Sequence, residues 1–304
     1  MDVVVVGSAN LDVVLSVRDH PRPGETVLAR SRSTGPGGKG VNQAVAAAVS
    51  GVGTALVAAV GEDDAGALLR RELEAAGVRT ALRRSARSTG TAHVVVDEQG
   101  ENAIVVDQGA NADLVDLDVA QRSLLAGASV VLCSLEVPVA TVVAALEVAG
   151  GLRVLNAAPA LPLPEALTGR LDVLVVNQHE ALSVLDRAPP TLDDAVAALL
   201  ERVPEVVVTL GPDGALVARR GAGTTHVPPV PARTVVDTTG AGDVFCGAYA
   251  ASRAGGQDGL SAARLGCAAA SLSVERRGAA RAAPTLEQAR HRLAAQRPSA
   301  GRRD

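Results

Sequence analysis

The sequence predicts an α/β fold: a central, mostly parallel sheet with helices on both faces, plus a small β-sheet lid. Three observations carry this expectation. Short, continuous apolar runs recur along the chain, beginning with the valines of Val3–Val6, and a strand buried on both faces reads that way. Ala- and Leu-rich stretches at helical spacing separate the runs, and strand alternating with helix argues for a parallel sheet covered on both sides. Two segments, near 12–32 and 91–106, break the rhythm by alternating polar with apolar residues, as strands with one solvated face do.

In chain order, residues 3–6 form the first buried strand. The stretch 12–32, interrupted by Pro21, Pro23 and Gly24, reads as a meander. A helix over 43–49, a strand over 55–60 and a helix over 66–76 follow. Residues 91–96 and 102–106 flank the turn Asp97-Glu98-Gln99-Gly100-Glu101 and read as a hairpin. Buried strands are expected at 129–132, 153–156, 173–176 and 206–210, with helices over 139–149 and 193–201. The last third turns helical, over 241–253, 260–276 and 285–295, and 296–304 reads as a disordered tail. The main domain is expected over 1–11, 38–88 and 109–304, and a lid, discontinuous in sequence, over 12–37 and 89–108. A flap beside a parallel sheet is a natural cover for a site at the strand ends.

A chain of 304 residues suits one large domain with a small appendage. Aromatic side chains are nearly absent: one Phe (Phe245), one Tyr (Tyr249) and no Trp. Single-stranded nucleic-acid binders stack bases on aromatic platforms, so that class is disfavoured, and a pocket gripping a nucleobase between rings is hard to build. The net charge of -4 gives no global attraction to nucleic acid. From Arg276 to Asp304 the sign reverses, with eight Arg against two acids. A solvated helix face and tail would look like this, and so would an anion-attracting patch near a phosphate site. Three well-separated cysteines (Cys133, Cys246, Cys267) give neither a disulfide framework nor zinc spacing, and suit buried positions in a reducing cytosol. The start lacks the basic and long apolar regions of a signal peptide, and no apolar run is long enough to span a membrane. A cytoplasmic protein without nucleic-acid or membrane partners is expected.

Only one of the 29 basic residues is a Lys, and it lies in Gly35-Pro36-Gly37-Gly38-Lys39-Gly40-Val41-Asn42. The segment contains G-x-G-x-x-G, yet no buried first strand precedes it, so a dinucleotide fingerprint does not fit. Gly40 stands where a Walker A loop needs Ser or Thr. A flexible loop remains, or a loop whose backbone N–H groups approach a polyhydroxylated ligand. Glycine permits that approach, and Lys39 and Asn42 add side-chain donors. Gly7-Ser8-Ala9-Asn10-Leu11-Asp12 lies just past the first strand, where open α/β sheets hold ligands. Asn10 and Asp12 there suit adjacent hydroxyls, or an Asx-rich turn.

The strongest signal is Asp237-Thr238-Thr239-Gly240-Ala241-Gly242-Asp243, which opens an apolar helix. Small residues expose unpaired N–H groups at a helix start, where anions bind. Asp243 either complements the helix dipole or serves as base for a hydroxyl attacking a phosphoryl group held by Gly240, Ala241 and Gly242. Asn177-Gln178-His179-Glu180 follows a buried strand. Asn177 and Glu180 share one helical face; they either order Mg²⁺ waters beside phosphates or form an N-cap with its capping-box Glu. Thr209-Leu210-Gly211-Pro212-Asp213-Gly214 reads on its own as a strand-to-turn connection.

Taken in order, these segments resemble the ribokinase (PfkB) family of ATP-dependent carbohydrate kinases, from Val3 to about Ala295. Gly37-Gly38-Lys39-Gly40-Val41-Asn42-Gln43-Ala44 and Gly109-Ala110-Asn111 are similar to the pattern of the family's ribose-phosphorylating members, and the stretch 237–243 is highly specific for the family. The resemblance implies phosphorylation of D-ribose at O5 by ATP, with deoxyribose, another furanose or a nucleoside as alternatives. It implies that Asp243 takes the proton from the primary hydroxyl while the N–H groups of Gly240, Ala241 and Gly242 form the anion hole. Asn10, Asp12, Gly38, Lys39, Gly40, Asn42 and Glu136 would bind the sugar. Asn177 and the run Thr209, Leu210, Gly211, Pro212, Asp213 and Gly214 would bind ATP, with Gly242 and Cys267 alongside, and Glu180 would help place Mg²⁺. A K⁺ ion is implied near Asp237, Thr239, Ser273, Arg276 and Gly278, held mostly by backbone carbonyls. Two positions depart from the pattern: Ala282 replaces a Ser of the cation loop, and Cys267 stands where His or Asn often lies near adenine. Paired lids would make a homodimer. Phe245 and Tyr249, at i, i+4 on the helix after Asp243, read as core, which argues against a nucleoside.

Overall fold

The computed structural model describes residues 1–296, so the expected tail lies, apart from Gln296, outside the described residues. Among the described residues there are thirteen strands: β1 Val3–Val6, β2 Asn10–Ser16, β3 Ser31–Gly37, β4 Thr54–Gly61, β5 Arg79–Ser85, β6 Gly90–Val96, β7 Asn102–Asp107, β8 Val130–Ser134, β9 Leu152–Asn156, β10 Val173–Asn177, β11 Glu205–Thr209, β12 Ala215–Arg219 and β13 Gly223–Val227. The α-helices are α1 Lys39–Val49, α2 Asp64–Ala75, α3 Val119–Ala126, α4 Val139–Val148, α5 Glu165–Thr168, α6 Gln178–Ser183, α7 Leu192–Arg202, α8 Ala241–Ala254, α9 Gly259–Ser273 and α10 Leu286–Ala294.

Nine strands form one sheet in the order β13-β12-β11-β10-β9-β8-β1-β4-β5. Its strands run parallel except along the β11-β12-β13 edge. Alternate side chains of a strand point to opposite faces, and β1 shows the consequence. Val3 and Val5 join the apolar cluster built with α1, α8 and α9. Val4 and Val6 join the opposite cluster, with Leu125, Leu146 and Leu199 of α3, α4 and α7. All four valines are fully buried, each contributing roughly 1.5–3 kcal/mol. The predicted α/β architecture with helices on both faces is therefore present.

A separate sheet of four strands runs β3-β2-β6-β7. β2 pairs parallel with β6, and the outer pairs are antiparallel. β7 is the sheet's edge and is exposed along its whole length.

Several elements escaped the sequence reading. β5 carries three arginines and pairs only with β4 at the sheet edge, so it lacks the continuous apolar run of a central strand. β12 and β13 form a hairpin whose outer strand is mostly exposed. The expected glycine loop is the end of one element and the start of the next. Gly35 and Gly37 belong to β3, and Lys39 already opens α1. Glycines with low helix propensity mask that start. At Gly40 a Cβ would lie 2.6 Å from the Gly7 carbonyl carbon, so only glycine lets α1 cross the chain leaving β1 this closely.

Candidate active site

Parallel pairing brings the carboxyl ends of the strands to one rim. In register, Val175 stands beside Asn156 and Asn177 beside Thr209, which lines up the last residues of β9, β10 and β11. The amino end of α8 faces this rim across a cavity of about 160 Å³. Lys39, Asn156, Asn177, Glu180, Thr209, Thr238, Gly240, Ala241, Gly242, Asp243 and Cys246 line it.

The start of α8 is built for an anion. Gly240 is its N-cap, in the left-handed region at φ 71°. The Ala241 N–H donates to Thr238 O at 3.2 Å. Among the described residues no protein group accepts from the N–H groups of Gly240, Gly242 or Asp243. Nothing lies within 4 Å of a Cβ built at Gly242, so the hydrogen side of this residue faces open cavity. Free donors around open space at a helix N-terminus suit a phosphate.

Asp243, in the first turn of α8, is only 6% exposed. Asn42 Nδ2 donates to its Oδ2 at 3.1 Å, and Gln43 Nε2 donates to its Oδ1 at 3.0 Å. Both amides come from the first turns of α1, three and four residues after Lys39. Lys39 holds its proton more tightly than usual. The negative charge of Asp243 is the main cause; burial opposes it, and Glu136 and Glu180 reinforce it. The glycine-rich segment and the α8 start, some two hundred residues apart in sequence, thus meet at one carboxylate.

The next carboxylates sit toward the small sheet. Ser8 Oγ donates to Glu136 Oε2, which also accepts the Lys39 N–H at 3.2 Å. Both contacts fall on one oxygen, and Oε1 has no hydrogen-bond partner among the described residues. Burial, then repulsion from Glu136 and Asp243, pushes the Asp12 carboxyl up to about 7. Between its ordinary 3.8 and about 7, the folded chain holds a proton that the unfolded chain has released. Stability therefore falls as pH rises through this window. Asp12→Asn is expected to melt higher than the parent at pH 8 and at the same temperature near pH 4. Thermal melts of the ligand-free protein check this; equal melting at pH 8 would contradict it.

Asn10 and Asn111 form a clamp. Asn111 Oδ1 accepts the Ala9 N–H at 2.9 Å, and its Nδ2 donates to Asn10 Oδ1 at 2.7 Å. With its oxygen engaged, Asn10 has its amide donors left for a ligand.

Of the two readings of Asn177 and Glu180, the capping box is present. Asn177 Oδ1 accepts the Glu180 N–H at 2.8 Å, and Glu180 Oε2 accepts the Asn177 N–H at 2.8 Å. Both residues also line the cavity, and Glu180 Oε1 keeps no protein partner among the described residues. Burial, above all, raises the Glu180 carboxyl, opposed by the Asn177 N–H and by Lys39.

The implied cation residues are joined in part. Asp237 Oδ1 accepts the Thr239 N–H and Oδ2 the Gly278 N–H, both at 2.9 Å. Burial pushes the Asp237 carboxyl up, but these bonds outweigh it and hold it below its usual value. Val274 O accepts the N–H groups of Val236 and Asp237, tying the two loops together. Ser273 O accepts the Arg276 N–H, and Ser273 Oγ donates to Ala270 O; among the described residues neither residue hydrogen-bonds the Asp237 side chain. Ala282 is buried and brings no side-chain oxygen. Among the described residues no group of three or more His, Cys, Asp or Glu could hold a metal ion.

Of the implied nucleotide run, Thr209 lines the cavity. Leu210 closes a turn with Gly214, its N–H donating to Gly214 O at 2.8 Å, and Gly211, Pro212 and Asp213 are exposed in a 3₁₀ turn beyond. Cys267 packs in the apolar cluster of α8 and α9, and the cysteine at the cavity is Cys246. Phe245 and Tyr249 are buried and stacked 6.2 Å apart, as core. Four further polar residues complete the site: Ser8, Gln43, Asn111 and Asn156. Gln43 was legible as the one amide inside the apolar stretch after Asn42, and Asn156 as an Asn ending an apolar strand, the pattern of Asn177.

A donor-lined helix start facing a buried carboxylate, at the strand ends of an open α/β sheet, defines a phosphate-transferring enzyme. The chain belongs to the pfkB family of carbohydrate kinases, whose profile matches residues 1–286. It is an ATP-dependent sugar kinase. It is 37% identical to the ribokinase of Bacillus subtilis over 297 residues, covering 94% of this chain and 97% of that one. It is also 34% identical to the deoxyribokinase of Salmonella typhi, covering 95% and 97%. Among solved structures, the ribokinase of Thermotoga maritima superposes with a TM-score of 0.90 at 34% identity, covering 96% of this chain and 99% of that one. The Arabidopsis thaliana ribokinase complexed with ribose and ATP gives 0.87 at 30% identity, covering 96% and 98%.

Proposed function

We propose that the protein transfers the γ-phosphoryl group of ATP to O5 of D-ribose, giving D-ribose 5-phosphate and ADP. One observation carries this reading. The buried carboxylate of Asp243, held by two amides, shares a cavity with the free N–H groups of Gly240 and Gly242. Asp243 takes the proton from the primary hydroxyl. The O5 oxygen forms its bond to phosphorus as the bond from phosphorus to the ADP oxygen breaks. The N–H groups at the start of α8 stabilise charge on the transferring group, which is most of what phosphoryl transfer asks of a protein. Lys39 adds a positive charge at the same place.

Asn10, Asp12, Gly38, Lys39, Gly40, Asn42 and the free oxygen of Glu136 form the sugar subsite, an array of donors and acceptors suited to a small polyol. Thr209 to Gly214 and Asn177 take the nucleotide. The free Oε1 of Glu180 suits a water of Mg²⁺, which would neutralise phosphate charge when bound. A K⁺ ion is proposed beside Asp237, with carbonyls rather than side chains as its ligands. We assign the small sheet, over 12–37 and 89–108, as the lid, because it carries Asp12, opposite Gly35 on β3. No helix among the described residues is long and apolar enough to cross a membrane, and the three cysteines are free and buried, which suits the cytoplasm.

The test is ADP release with a panel of sugars, with Mg²⁺ and K⁺ present. Ribose is expected to give the highest kcat/KM. Absence of ribose-dependent ADP formation from folded enzyme would remove the assignment. A preference for deoxyribose would move it to the activity named for the Salmonella relative. Nucleosides are expected to fail, since both aromatic rings are in the core.

A homodimer through the lid is proposed as well. Ile104, Val105 and Val106 are 53%, 70% and 47% exposed on the free edge strand β7. Such an edge is a template for pairing with another chain. Val105→Lys is expected to halve the mass found by sedimentation; an unchanged mass would place the contact elsewhere.

A further inference from the structure

We infer that Gln43 and Asn156 form a positioning relay that fixes the direction of the Asp243 carboxylate. The relay starts at a backbone group that can only accept. Asn156 Nδ2 donates to the Val175 carbonyl at 3.3 Å, from β9 to the neighbouring strand β10. This turns Asn156 Oδ1 away from Val175, where it accepts from Gln43 Nε2 at 3.0 Å. The same Gln43 nitrogen donates its second proton to Asp243 Oδ1 at 3.0 Å. An amide NH₂ has two protons, and both are used. The orientation of each amide follows from the one before it, ending at the carboxylate.

Gln43 uses its donors and leaves its acceptor idle. It is completely buried, and its Oε1 has no hydrogen-bond partner among the described residues. Leaving a buried acceptor unpaired costs about 1–3 kcal/mol. An apolar side chain of similar length would avoid that cost but would take the donor from Asn156 Oδ1 and Asp243 Oδ1. The amide is kept for its donors. Asn156, with both side-chain polar atoms bonded, lines the cavity itself. Asn42 holds the other oxygen of Asp243 from α1 alone. The relay adds a hold from the sheet, so the carboxylate is braced against the rim on which the nucleotide sits.

The inference rests on Asp243 being the base, and the experiment separates the two. Gln43→Glu is nearly isosteric but replaces the donor with a carboxylate beside Asp243. Asn156→Leu cuts the relay one residue earlier. Each is expected to lower kcat about 10²-fold, the cost of misplacing a catalytic group by about an ångström. KM for sugar and nucleotide should stay within about threefold. The double variant should lose no more than the worse single, because both act through one path. A kcat within about threefold of the parent in either folded single variant would overturn the relay. So would losses that multiply in the double variant, or losses carried by KM. Asp243→Asn is assayed beside them. If it is inactive while Gln43→Glu matches the parent, only the relay fails; if it turns over normally, the base assignment fails.

Discussion

Asp243→Asn is expected to fold, to bind nucleotide, and to lose about 10²–10⁴-fold in turnover, the range for removing a general base. The fold should survive because the substitution keeps the shape and removes a charge. In the parent, the Asp243 charge raises the Asp12 carboxyl and is the main cause of the raised Lys39 ammonium. Relieving the repulsion with Asp12 stabilises the variant, whereas losing the attraction to the buried Lys39 ammonium destabilises it. Turning an NH₂ toward the donors Asn42 Nδ2 or Gln43 Nε2 destabilises it by roughly 1–3 kcal/mol, because one of those donors loses its acceptor. The lost attraction to Lys39 and the lost acceptor outweigh the relief at Asp12, so the melting temperature should fall modestly while kcat collapses. Steady-state ADP release, with nucleotide binding by calorimetry, checks both halves. Turnover within about tenfold of the parent would show that another group takes the proton.

How much of this site could be read from the sequence depended on where its residues sit. The rim ends of the central strands were legible because the apolar runs of β10 and β11 end on Asn177 and Thr209, and that of β1 is followed by Gly7 and Ser8. The α8 start was legible because Gly240, Ala241 and Gly242 precede an apolar helix. Long-range pairing was not. Nothing local in the sequence places Gln43 against Asp243, two hundred residues away, or Asn111 against Asn10. The start of α1 was hidden for a related reason. Gly38 and Gly40 read as loop by propensity, yet Gly40 is demanded by a backbone crossing with Gly7 that exists only in the folded chain. Edge elements failed differently. β5 and β13 are half solvated, so the burial that writes an apolar pattern into central strands is missing.

The second large effect separates two glycines that look alike in sequence. Gly240 is at φ 71°, and a Cβ there would lie 2.3 Å from the Ala279 Cβ and 2.9 Å from its Cα. A left-handed alanine costs about 1–2 kcal/mol, and the contact with the Ala279 backbone cannot be relieved by a side-chain rotation. The loop carrying Gly278 must then move, and with it the Asp237 bond to the Gly278 N–H. Gly240→Ala is therefore expected to lower the melting temperature and to displace the donors at the α8 start, losing at least about 10²-fold in kcat. Removing one preorganised donor already costs about 10²–10³-fold. Gly242 has an ordinary helical backbone and nothing within 4 Å of its Cβ position. Gly242→Ala should melt at or above the parent temperature, since alanine favours a helix over glycine by about 1 kcal/mol. Its methyl enters the cavity proposed to hold the transferring phosphate, so kcat should fall by a similar factor in a stable protein. The pair thus separates fold from function at one helix end. Melting curves and initial rates on the two variants decide it, and a fully active Gly242→Ala would move the phosphate away from this end of α8.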